Sequence, residues 1–385
     1  SVTTPGAVRG WFDLHQRFGK RPWASLFDAA IAAARDGFAV APVAAREWAL
    51  FQPVIAKDPA SAALYRADCV PQAGERFSNS ALAQLLTEIA AQGPDAFYQG
   101  RIPQAAEQAM ARHGGVLAAA DFAAHSGAFC TPVTARFQGI DIYECPPNTH
   151  GVAVLHALAA LDNQPLAIDT PDTTVRMVQA MEAAMDHAKQ TVADPAGNTV
   201  CTTVVDSDGF AITLMSSIFK RFGAGFAVAE GGFVLQNRGH GFAQPGHING
   251  PAPGKRPYHT VVPGAATKDG QFWAVLGVVG GAMQPQGQVQ LLARMLAGGE
   301  APQAALNQPR WRLEGNRVLA VEAGTHTDVI VALRAAGYRE PTGEGELGGR
   351  SDFGGAQCIV RLPDGRLCGA SDPRKDGMAL AVNTH

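Results

Sequence analysis

Apolar residues return every three or four positions through the first half of the chain; after residue 199 they alternate or run together in short blocks. The first pattern predicts helices over 24–36, 79–92, 102–112 and 152–161, each rich in Ala and Leu. Its clearest case is 174–192. There Val175, Met177, Val178, Met181, Met185 and Ala188 share one side, a stripe suited to core packing rather than to a binding surface. Residues 136–144 read as a short hairpin ahead of the Pro146-Pro147 turn. The second pattern predicts strands over 200–205, 211–217, 232–236, 272–279, 318–321, 356–362 and 367–370, separated by Gly/Asp turns, with helices over 286–297 and 327–336. Residues 246–257 form a Pro/Gly loop, and no internal repeat is visible. A helical part feeding a strand-rich part predicts an α+β fold in which helices cover sheets.

Composition narrows the class. The 385 residues can bury a large core, and 46% hydrophobic against 17% charged residues describes a compact soluble chain. Its 31 basic and 34 acidic side chains nearly balance, which leaves no electrostatic footprint for nucleic acid. No apolar run is long enough to cross a bilayer, and Ser1-Val-Thr-Thr-Pro-Gly6 lacks the basic and apolar blocks of a signal peptide. The six cysteines are scattered without a CxxC pair. They read as reduced, mostly buried thiols in a cytoplasmic protein, with no metal or other cofactor expected.

Candidate chemistry lies in few places. Asn198-Thr199-Val-Cys-Thr-Thr-Val-Val-Asp206 puts a Thr at the mouth of a β-branched strand that ends in a Gly turn. Such a Thr is an ordinary strand starter. It becomes a nucleophile if the chain is cut before it, because the freed α-amine then acts as base. Ser1 deserves the same question, but Thr3, Thr4 and Pro5 give it no strand to sit on. Gly250-Pro-Ala-Pro-Gly254-Lys255 is one residue short of a phosphate loop, and its prolines remove the needed N–H donors. His240, His247 and His259 show no ligand spacing and read as surface or substrate-facing. Gly280-Gly281 closes an apolar strand, where paired glycines can either turn the chain or aim N–H groups into a cleft. On residue chemistry alone the function stays open.

The order of the motifs carries more. Asp36-Gly-Phe38, Gly93-Pro-Asp-Ala-Phe-Tyr-Gln-Gly100, Asn198-Thr199, Arg221-Phe-Gly-Ala-Gly225, Leu235-Gln-Asn-Arg-Gly239, Gly254-Lys-Arg-Pro257 and Gly280-Gly281 follow one another along nearly the whole chain. In that order the chain resembles the γ-glutamyltranspeptidase-like Ntn-hydrolases. The resemblance implies a four-layer αββα sandwich made as one precursor that cuts itself between Asn198 and Thr199. Residues 1–198 would form a helical large subunit and 199–385 a strand-rich small one, an αβ pair that associates further to (αβ)2. It also implies that Thr199 is the nucleophile, that Gly280 and Gly281 form the oxyanion hole, and that Ser217 orients the Thr199 hydroxyl.

Departures from the family pattern bear on the substrate. Positions that grip an α-amino group in a γ-glutamyl site read here as Phe219, Arg238 and His240-Gly241, and the paired serines for an α-carboxylate read as His259 and Thr260. An Arg favours a carboxylate and repels an ammonium. With Leu235-Gln-Asn-Arg-Gly239, Gly254-Lys-Arg-Pro-Tyr-His259, Gly280-Gly-Ala-Met-Gln-Pro-Gln286 and Pro309-Arg-Trp-Arg312, the chain resembles the branch with oxamate amidohydrolase and related acylases. It implies a small acidic amide, oxamate first, bound by Arg238, His259, Thr260, Asn237 and His240; the alternatives are a γ-glutamyl or glutaryl acylase or transpeptidase of the same family, and an uncleaved, inactive binding protein. The resemblance further implies a family segment with another binding Arg upstream of the stretch that begins here at Ser1, and a longer join than the one between Asp194-Pro195 and Thr199.

Overall fold

The computed structural model of the chain describes residues 1–192, 198–220, 222–343, 345 and 347–382. The short join expected before Thr199 and the Arg221 of the family motif lie outside these. The chain packs as two compact units, Ser1–Phe129 with Ile218–His240, and Cys130–Ser217 with Gly241–His385.

The first unit holds helices α1 (Ala7–Phe18), α2 (Asp28–Asp36), α3 (Pro42–Ile55), α4 (Pro59–Leu64), α5 (Ser80–Gln92), α6 (Asp95–Tyr98), α7 (Arg101–Arg112) and α8 (Ala119–Ala123). A two-residue ladder joins β1 (Phe38–Ala39) to β2 (Arg76–Phe77). Local chemistry sets the helix starts. The Asn79 side chain accepts from the Leu82 N–H at 3.0 Å to cap α5, and Asp58 accepts from Ser61 N at 2.8 Å to cap α4. Leu85, Ile89, Phe97, Tyr98, Ile102, Ala106 and Phe122 form the core of this unit. The apolar spacing did not predict α1 or α3. α3 carries Pro53 inside it, a residue that ordinarily interrupts a helix, while in α1 only Val8 is buried although Val8, Trp11 and Phe12 fall at helical spacing.

The second unit opens with the hairpin β3 (Val133–Phe137) and β4 (Ile140–Glu144), then α9 (Gly151–Asp162), α10 (Pro171–Thr191), β5 (Asn198–Val205) and β6 (Ala211–Phe219). The chain passes through β7 (Ala227–Val228) and β8 (Phe233–Val234) of the first unit. It returns as β9 (Gly264–Lys268), β10 (Gln271–Val279), α11 (Met283–Leu296), α12 (Pro302–Asn307), β11 (Trp311–Gly315), β12 (Val318–Val321), α13 (Thr327–Ala335), β13 (Gly355–Arg361) and β14 (Leu367–Ser371). The strand expected over 232–236 shrinks to the two residues of β8, and the helix expected from 286 begins at Met283. β9 and β11 were not predicted: one is built from small residues and the other carries two charges, so neither has a strand-like apolar pattern.

A six-stranded antiparallel sheet runs in the order β14-β13-β10-β9-β4-β3. Strands from both sides of Thr199 share it, because β4 pairs with β9 through Asp141↔Thr267, Ile142↔Ala266 and Tyr143↔Ala265. α9 and α11 pack on one face, with α10 laid against α9, and the β5–β6 pair lies against the other through β10 and β13. This is an α+β sandwich of stacked sheets with a helical cover. The continuous apolar run of β10 reflects burial on both faces. Ala274, Leu276 and Val278 join the helix-side core with Val154, Leu158, Met181, Val289 and Leu292, while Gly277 faces β5. A side chain there would come within 2.5 Å of Cys201 Sγ, so the sheets approach closely only because residue 277 is glycine. Each fully buried Leu or Val in that core contributes about 1.5–3 kcal/mol.

Among the described residues no helix is long and apolar enough to cross a membrane, and no group of three His, Cys, Asp or Glu is placed to hold a metal. The cysteines are free thiols, but the expectation that most are buried is corrected. Only Cys358 is buried, Cys69 and Cys130 are exposed, and the rest are half-buried. Cys358 lies on β13, which is paired on both sides, whereas Cys69 and Cys130 lie outside the strands, so position in the sheet decides more than residue type.

Glu144 at the end of β4 is 1% exposed, and neither carboxylate oxygen has a hydrogen-bond partner. Burial raises its pKa well above the ordinary carboxylate range. The neutral form is thus favoured by folding, an advantage complete below the unfolded pKa and lost as pH rises through the folded one. Glu144→Gln removes that titration. It is expected to raise the melting midpoint at neutral pH and to leave it unchanged at about pH 3 or below, where the parent carboxyl is protonated in both states. Calorimetry at the two pH values checks this.

Candidate active site

Strand periodicity aims Thr199. In β5, Val200 is 67% and Val204 49% exposed, so the even positions face outward. Thr199 shares parity with Cys201, whose Sγ reaches the backbone at Gly277, and its side chain therefore points toward the six-stranded sheet. On β6, Thr213 and Met215 also approach Gly277, which puts Ser217 on the same inner side. The hairpin mouth closes through the Asp206 N–H donating to the Phe210 carbonyl at 2.9 Å. Counting outward from that bond sets Ser217 opposite Thr199. Burial pushes the nearby Cys201 thiol up to about 12, so it stays protonated at neutral pH.

β10 is followed by Gly280 and Gly281, with φ of 119° and 60°, and after Ala282 by α11. Both values lie where a side chain is strained, and a Cβ on Gly280 would meet Gly354 Cα at 3.0 Å. Their carbonyls accept from Met283 N and Gln284 N and start the helix. Among the described residues neither glycine N–H donates to a backbone carbonyl. The tight turn therefore leaves two successive N–H groups without a backbone acceptor, one of the features an oxyanion hole needs.

Sequence reasoning missed Gln284. Its Nε2 donates to Thr199 Oγ at 2.7 Å, and its Oε1 accepts from the Val262 N–H at 3.0 Å. One turn further along α11, Gln288 Nε2 donates to the Val262 carbonyl at 2.5 Å. Gln286 and Gln290 face the other way. They pair with the N–H and carbonyl of Leu313 and of Trp311, occupying the edge of β11 opposite β12. The signal was present in Gln284-Pro-Gln-Gly-Gln-Val-Gln290, four amides in a helix whose remaining residues are mostly apolar. All four are 5% exposed or less, and a buried amide must be hydrogen-bonded.

The segment clasped by these glutamines carries His259 and Thr260. His259 N–H donates to the Asn148 carbonyl at 2.7 Å, and His150 Nε2 lies 3.0 Å from the Thr260 carbonyl. Thr260 is fully buried and His259 half-buried. The structure thus brings Thr199, Gln284 and residues 259–262 into one bonded set.

The other sequence candidates belong to the first unit. Asn237 is buried: its Oδ1 accepts from Lys220 N at 2.9 Å and its Nδ2 donates to the Gly223 carbonyl. That use is structural, tying the end of β6 to the turn after it. Arg238 is 4% exposed, with its guanidinium 4.3 Å from the centre of the Phe219 ring. Burial lowers its pKa to about 9, so it remains a cation at neutral pH. Phe219 holds a φ of 76°, a strained value for an aromatic residue, at the position where β6 gives way to Lys220. His240 is exposed, and partial desolvation followed by the Lys220 charge lowers its pKa, which favours the neutral ring.

A model of the gamma-glutamyltranspeptidase family matches residues 1–201 and 195–382. The chain belongs to that family. Among its relatives, the oxamate amidohydrolase proenzyme of Klebsiella pneumoniae is 30% identical over 98% of this chain and 80% of that one. The glutathione hydrolase-like YwrD proenzyme of Bacillus subtilis is 29% identical over 99% and 81%. A cephalosporin acylase from Bacillus halodurans superposes with a TM-score of 0.90, at 30% identity, over 100% of this chain and 79% of its own. With that family and that fold, the chain is an Ntn-type amidohydrolase.

Proposed function

We propose that the chain cuts itself before Thr199 and then hydrolyses a small acidic amide, oxamate first among them, through an acyl-enzyme. The observation that carries this reading is the inward-facing Thr199, whose Oγ is held by Gln284 at 2.7 Å at the start of a strand. The freed α-amine, with an ordinary pKa of about 8, accepts the hydroxyl proton near neutral pH. Oγ bonds to the amide carbon, the Gly280 and Gly281 N–H groups stabilise the oxyanion, and the amine returns the proton as ammonia leaves. Water then attacks the ester, and the diacid departs with Thr199 regenerated. Ser217 steadies the hydroxyl.

The family alone leaves glutathione-type, cephalosporin-type and oxamate-type substrates open. Arg238, still cationic when buried, supports a carboxylate on the acyl group, and the resemblance adds His259 and Thr260 to its binding. The two pieces remain together as an αβ pair, two of which associate. Purified protein assayed with oxamate and with a γ-glutamyl anilide side by side decides the substrate. Oxamate is expected to win by about 100-fold or more in kcat/KM, the scale on which a site built for one charged group rejects another. Preference for the anilide sinks the oxamate assignment, and a glutaryl amide in the same series tests the acylase alternative.

A further inference from the structure

We propose that Gln284 is a positioning residue that sets the direction of the Thr199 hydroxyl, both for self-cleavage and for turnover; this rests on Thr199 being the nucleophile. The amide orientation is fixed by chemistry. Val262 N–H can only donate, so the atom facing it is Oε1, and Nε2 must face Thr199 Oγ. Val262 is in turn held by Gln288 through its carbonyl, so both main-chain polar groups of this residue are pinned from one face of α11. Gln284 cannot flip without leaving the buried Val262 N–H without its acceptor.

A hydroxyl has one proton and two lone pairs. With one lone pair taken by the Gln284 N–H, the Thr199 proton must point elsewhere, where a base can take it, and the other lone pair is left for attack. The same N–H offsets negative charge on Oγ as the proton leaves. A donor is required at that point; an acceptor of identical shape would turn the hydroxyl proton toward itself.

Gln284→Glu separates this from a purely structural role. The variant keeps the size of the side chain and the acceptor for Val262 N–H, so a structural role predicts cleavage at the normal rate. An ionised Glu has no donor for Oγ. Self-cleavage of the freshly purified chain, followed by intact mass at about pH 7.5, is expected to slow by roughly 100-fold, the loss typical of one preorganised donor. As pH falls through the range of the new carboxyl, about 4.3 when unperturbed and higher when buried, its O–H restores a donor. The rate is then expected to recover at least about tenfold relative to wild type at the same pH.

Full-rate cleavage of Gln284→Glu at about pH 7.5, or slow cleavage with no recovery in acid, overturns the proposal. If that variant does not fold, Gln284→Met supplies a neutral side chain of similar volume without a donor. It is expected to be slow at every pH, and a normal rate overturns the proposal equally. A wild-type chain that never cuts itself defeats the Thr199 reading and this inference together. A wild type that cuts normally beside a normal Gln284→Glu defeats this inference alone.

Discussion

Replacing Thr199 with Ala is expected to leave one full-length chain and to lower amide turnover by about 10⁴- to 10⁶-fold. The change removes the only atom of this side chain that can bond to a carbonyl carbon, at a site where Gln284 already holds that atom at 2.7 Å. Intact-mass spectrometry reads the first outcome and ammonia release the second. The fold should survive, because Gln284 keeps Val262 as its second partner and the strand keeps its ladder. An Ala variant that still breaks before residue 199, or that releases ammonia at the parental rate, defeats the nucleophile assignment. Thr199→Ser makes a useful companion, since it retains the hydroxyl that Gln284 addresses and is expected to cut itself.

Arg374→Met is expected to cost about 3–5 kcal/mol of stability, the loss typical of removing one partner from a buried ion pair. Arg374, Glu322 and Asp372 are all 3% exposed or less. The Arg374 guanidinium bonds the Glu322 carboxylate, reaches Asp372 Oδ1 at 3.1 Å, and donates to the carbonyls of Leu306 and Gln308 at 2.8 and 2.7 Å. Arg310 joins from the other side, donating to Asp372 Oδ2 at 2.6 Å. Burial alone would raise the Asp372 carboxyl, but Arg310 and Arg374 outweigh it and hold it below the ordinary value. That stabilisation is present above the unfolded carboxylate pKa and is lost as pH falls through the folded one. Loss of Arg374 leaves buried Asp372 with Arg310 alone and buried Glu322 with the half-exposed Arg350 alone, and Arg374→Lys should not restore the wild type, because a single ammonium cannot span the same four groups. Urea titration measures both variants; a midpoint within experimental error of wild type would mean the network adds no net stability.

How much of this could be read in advance differs from element to element. α10 announced itself because its buried Met177, Val178, Met181 and Met185 fall on one side at helical spacing. β10 was equally plain as a run of apolar residues. β9 and β11 were not, since a strand of Gly and Ala or one carrying Arg312 and Glu314 is recognised only by the neighbours it pairs with. The same difference runs through the site. Thr199 could be singled out from its local chemistry together with the family resemblance, and Gly280-Gly281 likewise. Gln284 could not, because its importance lies in reaching 85 residues back along the chain to one hydroxyl and 22 residues back to one N–H. Buried amides spaced two apart are legible as hydrogen-bonded, but their partners are set by tertiary packing.

The β4–β9 ladder fixes what a cut before Thr199 would do to the folding equilibrium. Asp141, Ile142 and Tyr143 lie upstream of the cut and pair with Thr267, Ala266 and Ala265 downstream of it, so a nicked molecule keeps the six-stranded sheet and the core packed on it whole. Refolding changes kinetic order, however. An intact chain brings β4 to β9 within one molecule, whereas two separate pieces must first find each other, and their recovery becomes dependent on concentration. Once cut, the protein could fall apart under stress and be slow to return at dilution, its persistence then governed by how rarely that ladder opens rather than by how quickly it reforms.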